Sequence, residues 1–460
     1  MELKTKYYKK DILIIGFGKT GKSILKFFKD QKVNIFIYDD NLDIIKNKFK
    51  SKNFFNEKEK KISDFFTIFV SPGISKNHKL IKKAVKKNIR ISSDIELFWE
   101  NQLTRNTNQS ILGVTGTNGK STIALMISRV LKTQPLGNFG NTILDNLDKK
   151  TKHFVIELSS FQLDYIDNFK PNISIISNIN NDHLNYHKTF NNYFKAKINI
   201  SKNQDKGDYL ILNYDDKNIK NFFKKKNDIK AQIIKISNKS SFSKGIYYKN
   251  NNIYDNFFTN KKYSLKKNNF LKLKHNQLNY TIAFSALLAL GLEANKIIKS
   301  LNEFEGLPHR LEFLGKIKKI SFYNDSKATN VAATCSAIRS FKKVILIAGG
   351  FDKGESFTEL NKFSDIIIEA YLVGENANKI KKYINRKLPN KVCENLKEAL
   401  ESSYKKSLSS GKLYPILFSN FISRSFTAST LNSRGSSLNT WEQNPLTIML
   451  THFSISMPRL

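Results

Sequence analysis

Gly113-Val114-Thr115-Gly116-Thr117-Asn118-Gly119-Lys120-Ser121 lies between the apolar pair Ile111-Leu112 and a helical pattern over residues 122–131. This order predicts a strand, a glycine-rich loop and a helix. Such a loop directs backbone N–H groups at phosphate, and the positive end of the helix dipole adds to the attraction. Lys120 is expected to reach the terminal phosphates of a nucleotide, and Ser121 to bind Mg²⁺. Because the first and last glycines stand one residue further apart than in the standard P-loop, a glycine turn that binds nothing is the alternative.

A second glycine turn lies near the start of the chain. Residues 11–15 predict a buried strand, Gly16-Phe17-Gly18-Lys19-Thr20-Gly21 fits G-x-G-x-x-G, and residues 22–29 predict a helix. A further strand over residues 33–38 ends at the acidic pair Asp39-Asp40. This order is typical of a dinucleotide-binding fold. The sequence therefore predicts a nucleotide or nucleotide-sugar site, and a tight turn that needs small residues is the alternative.

Two more strands are predicted to end near the phosphate loop. Residues 153–157 form a strand pattern that ends at Glu157, and residues 173–179 form another that is followed by Asp182-His183. Ligands of open α/β sheets bind outside the carboxyl ends of the strands. We therefore expect Glu157 and His183 beside the loop as metal ligands. For His183, a helix-start histidine bonded to backbone is the alternative.

Two helices carry polar residues whose role the pattern leaves open. Asn276 and Asn279 stand three residues apart at the start of an alanine-rich helix, so they share one face. They either bond an adenine edge or cap the helix. Lys195 and Lys197 lie on another predicted helix, and by pattern alone both are ordinary surface lysines.

Strand and helix patterns alternate again after a linker-like segment at residues 302–308. This third region is therefore also α/β. It presents Arg310, Asp325, Lys327 and Lys353 in polar loops after buried strands. Each alone is a surface charge, but together they predict a second half of the site that faces the phosphate loop.

The composition bounds the class of protein. A chain of 460 residues accommodates about two to four domains, frequent apolar runs exclude a disordered chain, and no run is long enough to span a membrane. Cys335 and Cys393 match neither a disulfide framework nor a zinc site, which fits a reducing cytoplasm. The net charge of +38 admits a nucleic-acid-binding P-loop protein. Because the lysines are dispersed, we favour a solvated basic surface and expect no nucleic-acid or membrane partner.

With these motifs the chain resembles the Mur ligase family from about residue 11 to about residue 419. The resemblance rests on the phosphate loop, Glu157-Leu158-Ser159-Ser160-Phe161-Gln162-Leu163, Asp182-His183 and His309-Arg310. Asn324-Asp325-Ser326-Lys327-Ala328-Thr329-Asn330 resembles the D-glutamate-adding members. The resemblance implies three α/β domains. They are a UDP-sugar-binding Rossmann-like domain over 1–93, a central P-loop ATPase-like parallel sheet that binds ATP over 94–306, and a Rossmann-like amino-acid-binding domain over 307–460.

The resemblance also implies an activity, the ATP-dependent addition of D-glutamate to UDP-N-acetylmuramoyl-L-alanine in peptidoglycan precursor synthesis. ATP phosphorylates the substrate carboxylate, and the amine of D-glutamate attacks the acyl phosphate. A tetrahedral intermediate then releases phosphate and leaves an amide. The implied cofactors are two Mg²⁺ ions, with a carbamylated Lys197 at the second. The protein is expected to be a cytoplasmic monomer.

Site residues follow by position from the same resemblance. The expected catalytic residues are Lys120, His183 and Lys197, and the expected metal ligands are Ser121, Glu157, His183 and Lys197. The expected ATP contacts are Gly116, Thr117, Asn118, Gly119, Lys120, Ser121, Thr122, Asn276, Asn279, Arg310 and Asp325. The expected UDP-sugar contacts are Gly18, Lys19, Thr20, Asp39, Ser71, Asn138, Ser159 and Gln162. The expected D-glutamate contacts are Lys327, Thr329 and Lys353.

Two alternatives and one departure accompany the resemblance. Folylpolyglutamate synthase shares the central domain but lacks the N-terminal glycine-turn domain, and other Mur ligases would need a different motif at residues 324–330. After Ser419 the chain departs from the family, since Asn420 replaces an expected proline and lysine is absent from 413 to 460. We expect an aberrant last segment that weakens D-glutamate binding, and we attribute it to a change of reading frame.

Overall fold

Two units make up the chain, Met1–Phe304 and Glu305–Leu460. The computed structural model describes residues 3–41, 53–105, 109–147, 150–226, 228–266, 270–307, 309–328, 331–350, 356–384 and 388–420. Among these residues the first unit holds two sheets and the second unit one. The predicted α/β class with several parallel sheets is confirmed. The division at residues 93 and 94 stays a prediction.

The first sheet belongs to the glycine-turn region. Its strands are β1 (Asp11–Ile15), β2 (Asn34–Tyr38), β3 (Thr67–Val70) and β4 (Arg90–Ser92), and the helices of this region are α1 (Leu3–Lys6), α2 (Lys19–Phe28) and α3 (Lys79–Lys86). All described pairings are parallel, in the order β2-β1-β3-β4. Strands β1 and β3 are buried along nearly their whole length, which explains why they read as continuous apolar runs.

The second sheet contains the phosphate loop. Its helices are α4 (Asp94–Arg105), α5 (Lys120–Val130), α6 (Ser160–Leu163), α7 (Leu184–His187), α8 (Phe190–Ile198), α9 (Lys217–Lys225), α10 (Lys274–Ala289) and α11 (Ala294–Asn302). Its strands are β5 (Ser110–Thr115), β6 (Pro135–Gly137), β7 (His153–Glu157), β8 (Ile173–Ile176), β9 (Tyr209–Asn213), β10 (Gln232–Ser237), β11 (Ile246–Lys249), β12 (Asn252–Asp255) and β13 (Lys261–Ser264). Because β5 pairs in parallel with both β7 and β8, the carboxyl ends of these three strands lie side by side.

The order of this sheet is β13-β12-β11-β10-β9-β8-β5-β7-β6, and β11 to β13 form an antiparallel end. The sequence predicts exposed hairpins over residues 239–267. That prediction is wrong for Ile246 and Ile253, which are fully buried in one core cluster with Phe284 of α10. The apolar residues of these short strands pack against α10, a helix that comes later in the chain.

The second unit contains the third sheet. Its strands are β14 (Glu312–Ile317), β15 (Ile320–Asp325), β16 (Val344–Gly349), β17 (Ile367–Val373), β18 (Asn390–Val392) and β19 (Ile416–Asn420), and its helices are α12 (Val331–Ile338), α13 (Ala377–Tyr383) and α14 (Leu396–Ser409). The order is β14-β15-β19-β16-β17-β18, with only the β14–β15 pairing antiparallel among those described. The departure predicted after Ser419 begins at Asn420, the last residue of β19, and the rest of the predicted aberrant segment, residues 421–460, lies outside the described residues.

Within the described part of the chain, no helix combines the length and hydropathy needed to cross a lipid bilayer.

Candidate active site

The phosphate loop is shorter than the sequence predicts. Gly113 lies inside β5, which ends at Thr115, and α5 begins at Lys120, so the loop is residues 116–119. Gly116 (φ +150°) and Gly119 (φ +85°) adopt backbone conformations that other residues rarely adopt. A Cβ on Gly116 would lie 1.9 Å from the Ser177 hydroxyl oxygen, and one on Gly119 would lie 2.7 Å from the Asn279 side-chain oxygen. Both glycines are therefore required by conformation and by space.

The segment after β8 fixes the loop. The backbone N–H groups of Thr117 and Asn118 donate to the backbone and side-chain oxygens of Asn178, at 2.8 and 2.9 Å. The Ser177 hydroxyl donates to the Asn118 carbonyl at 2.7 Å. The loop is held in place by hydrogen bonds that do not depend on a ligand.

Two lysine amines converge on one carbonyl of the loop. Nζ of Lys120 and Nζ of Lys197 donate to the carbonyl oxygen of Gly116 at 2.9 and 2.7 Å. Lys197 is 2% exposed, so the interpretation of this residue as a surface lysine is wrong, whereas Lys195 is exposed. Burial, reinforced by the charge of Lys120, places the pKa of the Lys197 amine well below its usual value. The pattern failed because Lys197 lies on the buried face of α8, where an apolar residue would be expected.

Glu157 offers a free anionic atom beside this pair. It is buried at the end of β7, and its Oε1 accepts a 2.8 Å hydrogen bond from the Asn138 amide. Its Oε2 is buried and has no hydrogen-bond partner among the described residues. Because an unpaired buried carboxylate oxygen is costly, the atom fits a cation. No group of three His, Cys, Asp or Glu side chains is placed to hold a metal in the described part of the chain.

His183 stands where β8 leads into α7. Its φ of +51° places it in the left-handed region immediately before the helix, but its side chain makes no capping hydrogen bond. The ring packs on Phe161 at 4.8 Å between centroids, and Nε2 lies 3.5 Å from Oδ2 of Asp182. Partial burial lowers the pKa of the imidazole, although Asp182 opposes this shift, so the ring is neutral at neutral pH. A neutral, partly open imidazole is suited to metal ligation.

Tyr193 is a site residue that the sequence analysis missed. Its hydroxyl lies 2.9 Å from the Thr117 hydroxyl, and the Lys197 amine lies 4.9 Å from the centre of its ring. Tyr193 and Lys197 share one face of α8 because they are four residues apart. The four-residue spacing between Tyr193 and Lys197 is the signal in the sequence that could have identified Tyr193.

The first sheet forms its own polar turn. Oδ2 of Asp39 accepts from the Phe17 N–H at 2.7 Å, and the Ser71 hydroxyl donates to the Gly16 carbonyl at 2.7 Å. Gly18 precedes α2, which starts with Lys19 and Thr20. Asp39 and Ser71 thus shape the turn from which Lys19 and Thr20 project.

Ser159 and Gln162 cap α6 reciprocally. The Ser159 hydroxyl accepts from the Gln162 N–H, and Oε1 of Gln162 accepts from the Ser159 N–H. In this structure both side chains are therefore engaged with the helix start. Their predicted contact with a UDP-sugar stays a prediction.

Asn276 and Asn279 lie on the first turns of α10. The Asn276 amide donates to the Phe270 carbonyl at 3.1 Å, and Asn279 lies against Gly119. A cavity of about 610 Å³ lies near the same helix start and is lined by Asn178, Asn213, Asp215, His275 and Leu278, among others. Asn279 therefore faces the phosphate loop, while Asn276 holds the segment before the helix.

Several predicted site residues of the second unit lie close together. Oδ1 of Asp325 accepts from the Leu311 N–H at 2.9 Å, and the Lys327 N–H donates to the His309 carbonyl at 3.0 Å. His309 and Leu311 both have positive φ, so the segment that carries Arg310 is strained. Burial raises the pKa of the Asp325 carboxyl to about 7.

Two predicted D-glutamate contacts, Thr329 and Lys353, lie outside the described residues. The expectation that Arg310, Asp325 and Lys327 face the phosphate loop stays a prediction.

The fold and this loop define a class, the multi-domain α/β proteins with a phosphate-binding loop at the end of a parallel sheet. The models named "Mur ligase MurD-like, N-terminal domain" and "Mur ligase middle domain" match residues 10–93 and 114–287. The UDP-N-acetylmuramoylalanine--D-glutamate ligase of Rickettsia bellii is 37% identical over 413 residues, 87% of this chain and 90% of the relative. The same-named protein of Caldicellulosiruptor saccharolyticus is 34% identical over 417 residues, 86% of this chain and 90% of the relative. The chain belongs to the Mur ligase family.

Solved structures agree in fold. The MurF ligase from Thermotoga maritima in complex with ADP aligns with a TM-score of 0.56 at 14% identity, covering 91% of this chain and 93% of that one. A pseudomurein peptide ligase type C from Methanothermus fervidus aligns with a TM-score of 0.53 at 21% identity, covering 89% and 97%. The match at residues 10–93 also counts against folylpolyglutamate synthase, which lacks that domain.

Proposed function

We propose that this chain is an ATP-dependent ligase that joins D-glutamate to UDP-N-acetylmuramoyl-L-alanine through an acyl phosphate, in peptidoglycan precursor synthesis. The observation that carries the proposal is the convergence of Lys120 and Lys197 on the Gly116 carbonyl, near the unpaired Oε2 of Glu157. The names of relatives that are 32–37% identical supply the substrate class.

The main obstacle to the reaction is the electrostatic repulsion between the substrate carboxylate and the triphosphate. A carboxylate and a triphosphate at about 4 Å repel by about 4 kcal/mol at an effective dielectric near 20. Lys120 and the N–H groups at the start of α5 bind the phosphates, and Ser121 and Glu157 hold a first Mg²⁺. When bound, Mg²⁺ neutralises charge and polarises the phosphoryl group. His183 and a carbamate on Lys197 hold a second ion.

The carbamate on Lys197 requires a neutral amine. Burial and the neighbouring charge of Lys120 supply it by lowering the pKa of Lys197. The neutral amine adds to CO₂ and releases a proton, so an uncharged buried group becomes an anion, which suits a position beside a metal. The carbamate anion would also be attracted to the charge of Lys120.

The other contacts complete the proposal. Gly18, Lys19, Thr20, Asp39, Ser71, Asn138, Ser159 and Gln162 bind the UDP-sugar. Asn276, Asn279, Arg310 and Asp325 bind ATP, and Lys327, Thr329 and Lys353 bind D-glutamate. The domains are 1–93, 94–306 and 307–460, and the protein works as a cytoplasmic monomer.

Phosphate release tests the proposal. The purified chain is incubated with ATP and Mg²⁺, with each of UDP-N-acetylmuramoyl-L-alanine and D-glutamate alone and then together. We expect release only when both are present, with the amide product found by mass spectrometry. Release that needs L-alanine or a diamino acid instead would point to another Mur ligase, and release that is stimulated by DNA or RNA would refute the ligase assignment.

A further inference from the structure

The turn after β3 is hydrogen-bonded to the glycine turn of the first sheet and packs closely against it. The Ile74 N–H donates to the Ser71 carbonyl at 3.0 Å, and the Ser71 hydroxyl donates to the Gly16 carbonyl. A Cβ on Gly16 would lie 2.8 Å from Cβ of Ser71 and 3.1 Å from Cγ1 of Ile74. Anything that binds the glycine turn therefore also restrains Ile74.

Two tyrosines of the second-sheet region hold this turn. The hydroxyls of Tyr165 and Tyr186 both donate to the Ile74 carbonyl oxygen, at 3.2 and 3.3 Å. Lys76, two residues after Ile74, adds a 2.9 Å ion pair with Asp164. Burial raises the pKa of both phenols, that of Tyr186 to about 12, so both remain hydrogen-bond donors at neutral pH.

Tyr186 also belongs to the His183 segment. Helix α7 is a single turn that begins after His183, and the Tyr186 N–H donates to the His183 carbonyl at 3.1 Å. Phe161 contacts both side chains, at 4.6 Å from the ring of Tyr186 and 4.8 Å from that of His183. A four-residue helix is too short to be stable alone, so its position depends on anchors such as the Tyr186 hydroxyl.

We propose that Tyr165 and Tyr186 are positioning residues that couple occupancy of the first-sheet site to the placement of His183. The proposal rests on the proposed function for the identity of the two ligands. A UDP-sugar at the glycine turn fixes the Ile74 carbonyl, the two hydroxyls follow it, and α7 holds His183 toward the phosphate loop. ATP binding and UDP-sugar binding then favour each other through this pair.

A measurement of the coupling between the two ligands tests the proposed role of Tyr165 and Tyr186. The affinity for UDP-N-acetylmuramoyl-L-alanine is measured by calorimetry with and without a non-hydrolysable ATP analogue and Mg²⁺. We expect each ligand to tighten the other by about fivefold or more in the unmodified chain, in the range usual for coupled sites. Tyr165→Phe/Tyr186→Phe should reduce this factor to about one. The single variants should differ: Tyr186→Phe removes the hydroxyl carried by α7 and should lose most of the coupling, whereas Tyr165→Phe should retain part of it.

A control and a second readout keep the test decisive. Tyr263→Phe loses a hydroxyl bonded to Thr259 in the antiparallel end of the sheet and should leave the coupling unchanged. Without ligand, hydrogen exchange should become faster at both 71–76 and 183–187 in the double variant. Faster exchange at 183–187 alone, or an unchanged coupling factor, overturns the proposal. If the unmodified chain does not bind the UDP-sugar, the proposed function fails and the exchange data still decide whether the two segments are linked.

Discussion

The amine of Lys197 lies in the interior of the first unit, 2.7 Å from the Gly116 carbonyl oxygen. Lys195 is two residues earlier on the same helix and is exposed, so it is a matched control. The two lysines differ in surroundings and hardly at all in sequence context. Solvation thus distinguishes a buried amine with a lowered pKa from an ordinary surface charge.

Replacing Lys197 tests the carbamate. We expect Lys197→Ala to lower turnover by about 10²- to 10³-fold, a loss usual for one electrostatic group of a reaction site. Added formate or acetate should restore part of the activity, because a small anion fills the place of the carbamate. Lys195→Ala should keep full activity. Failure of every short carboxylate to restore turnover would leave Lys197 with a structural role only.

The buried carboxyl of Asp325 predicts a pH dependence of folding stability that can be measured. Its pKa of about 7 in the folded chain lies above the ordinary value of 3.8 because the carboxyl is buried. Between pH 4 and pH 7 the unfolded chain has lost this proton and the folded chain keeps it, so Asp325 lowers folding stability as pH rises through that window.

Asp325→Asn removes this titration and retains the acceptor for the Leu311 N–H. The melting temperature of the variant minus that of the unmodified chain should therefore increase by about 3 °C or more between pH 5 and pH 8, measured by scanning calorimetry. A difference that does not change with pH would contradict the assigned pKa.

At the scale of elements, the β5–loop–α5 segment depends on glycine. Gly116→Ala should destabilise the first unit by about 1–3 kcal/mol, because the new Cβ collides with Ser177 and the backbone is strained. ATP turnover should fall with it, as the loop N–H groups shift. Gly207→Ala is the control, since a Cβ there meets no atom of the described residues within 4 Å, and its effect should stay within about 0.5 kcal/mol. Equal effects of the two changes on thermal unfolding would show that the loop is not constrained.

Strand β19 depends on the rest of the third sheet. Ile416–Asn420 enters between β15 and β16, and its Leu417 and Phe418 are buried. The Ser419 hydroxyl lies 2.6 Å from that of Thr334 on α12. The last family-like residues of the chain are therefore central to their sheet.

At the scale of the whole molecule, each unit has its own core. Among the residues that the structure describes, three hydrophobic clusters lie wholly within the first unit and two within the second. A domain with its own core can fold alone. The two units are therefore expected to be separable by cutting the chain between them.

A fragment of residues 1–304 should fold independently. We expect a single cooperative thermal transition and a native near-ultraviolet circular dichroism spectrum. A fragment of residues 1–250 lacks α10, whose buried apolar side chains belong to the second cluster, and should unfold without a sharp transition. If the longer fragment binds hydrophobic dye and melts without cooperativity, its core needs the second unit.

The sequence by itself determined the elements that local order specifies. Strand, glycine loop and helix follow one another in the chain, so the phosphate loop, the first glycine turn and the strand that ends at Glu157 were all predicted. Boundaries were less well predicted, as the loop began at Gly116 and α5 at Lys120. Glycine and apolar patterns report backbone geometry over a few residues only.

Only the tertiary structure decided which side chains meet. The burial of Lys197, the two hydroxyls on the Ile74 carbonyl and the central position of β19 all join segments more than 70 residues apart. Burial and hydrogen bonding depend on every element packed around a group, and no local pattern contains that information. The lowered pKa of Lys197 is therefore a property of the folded chain.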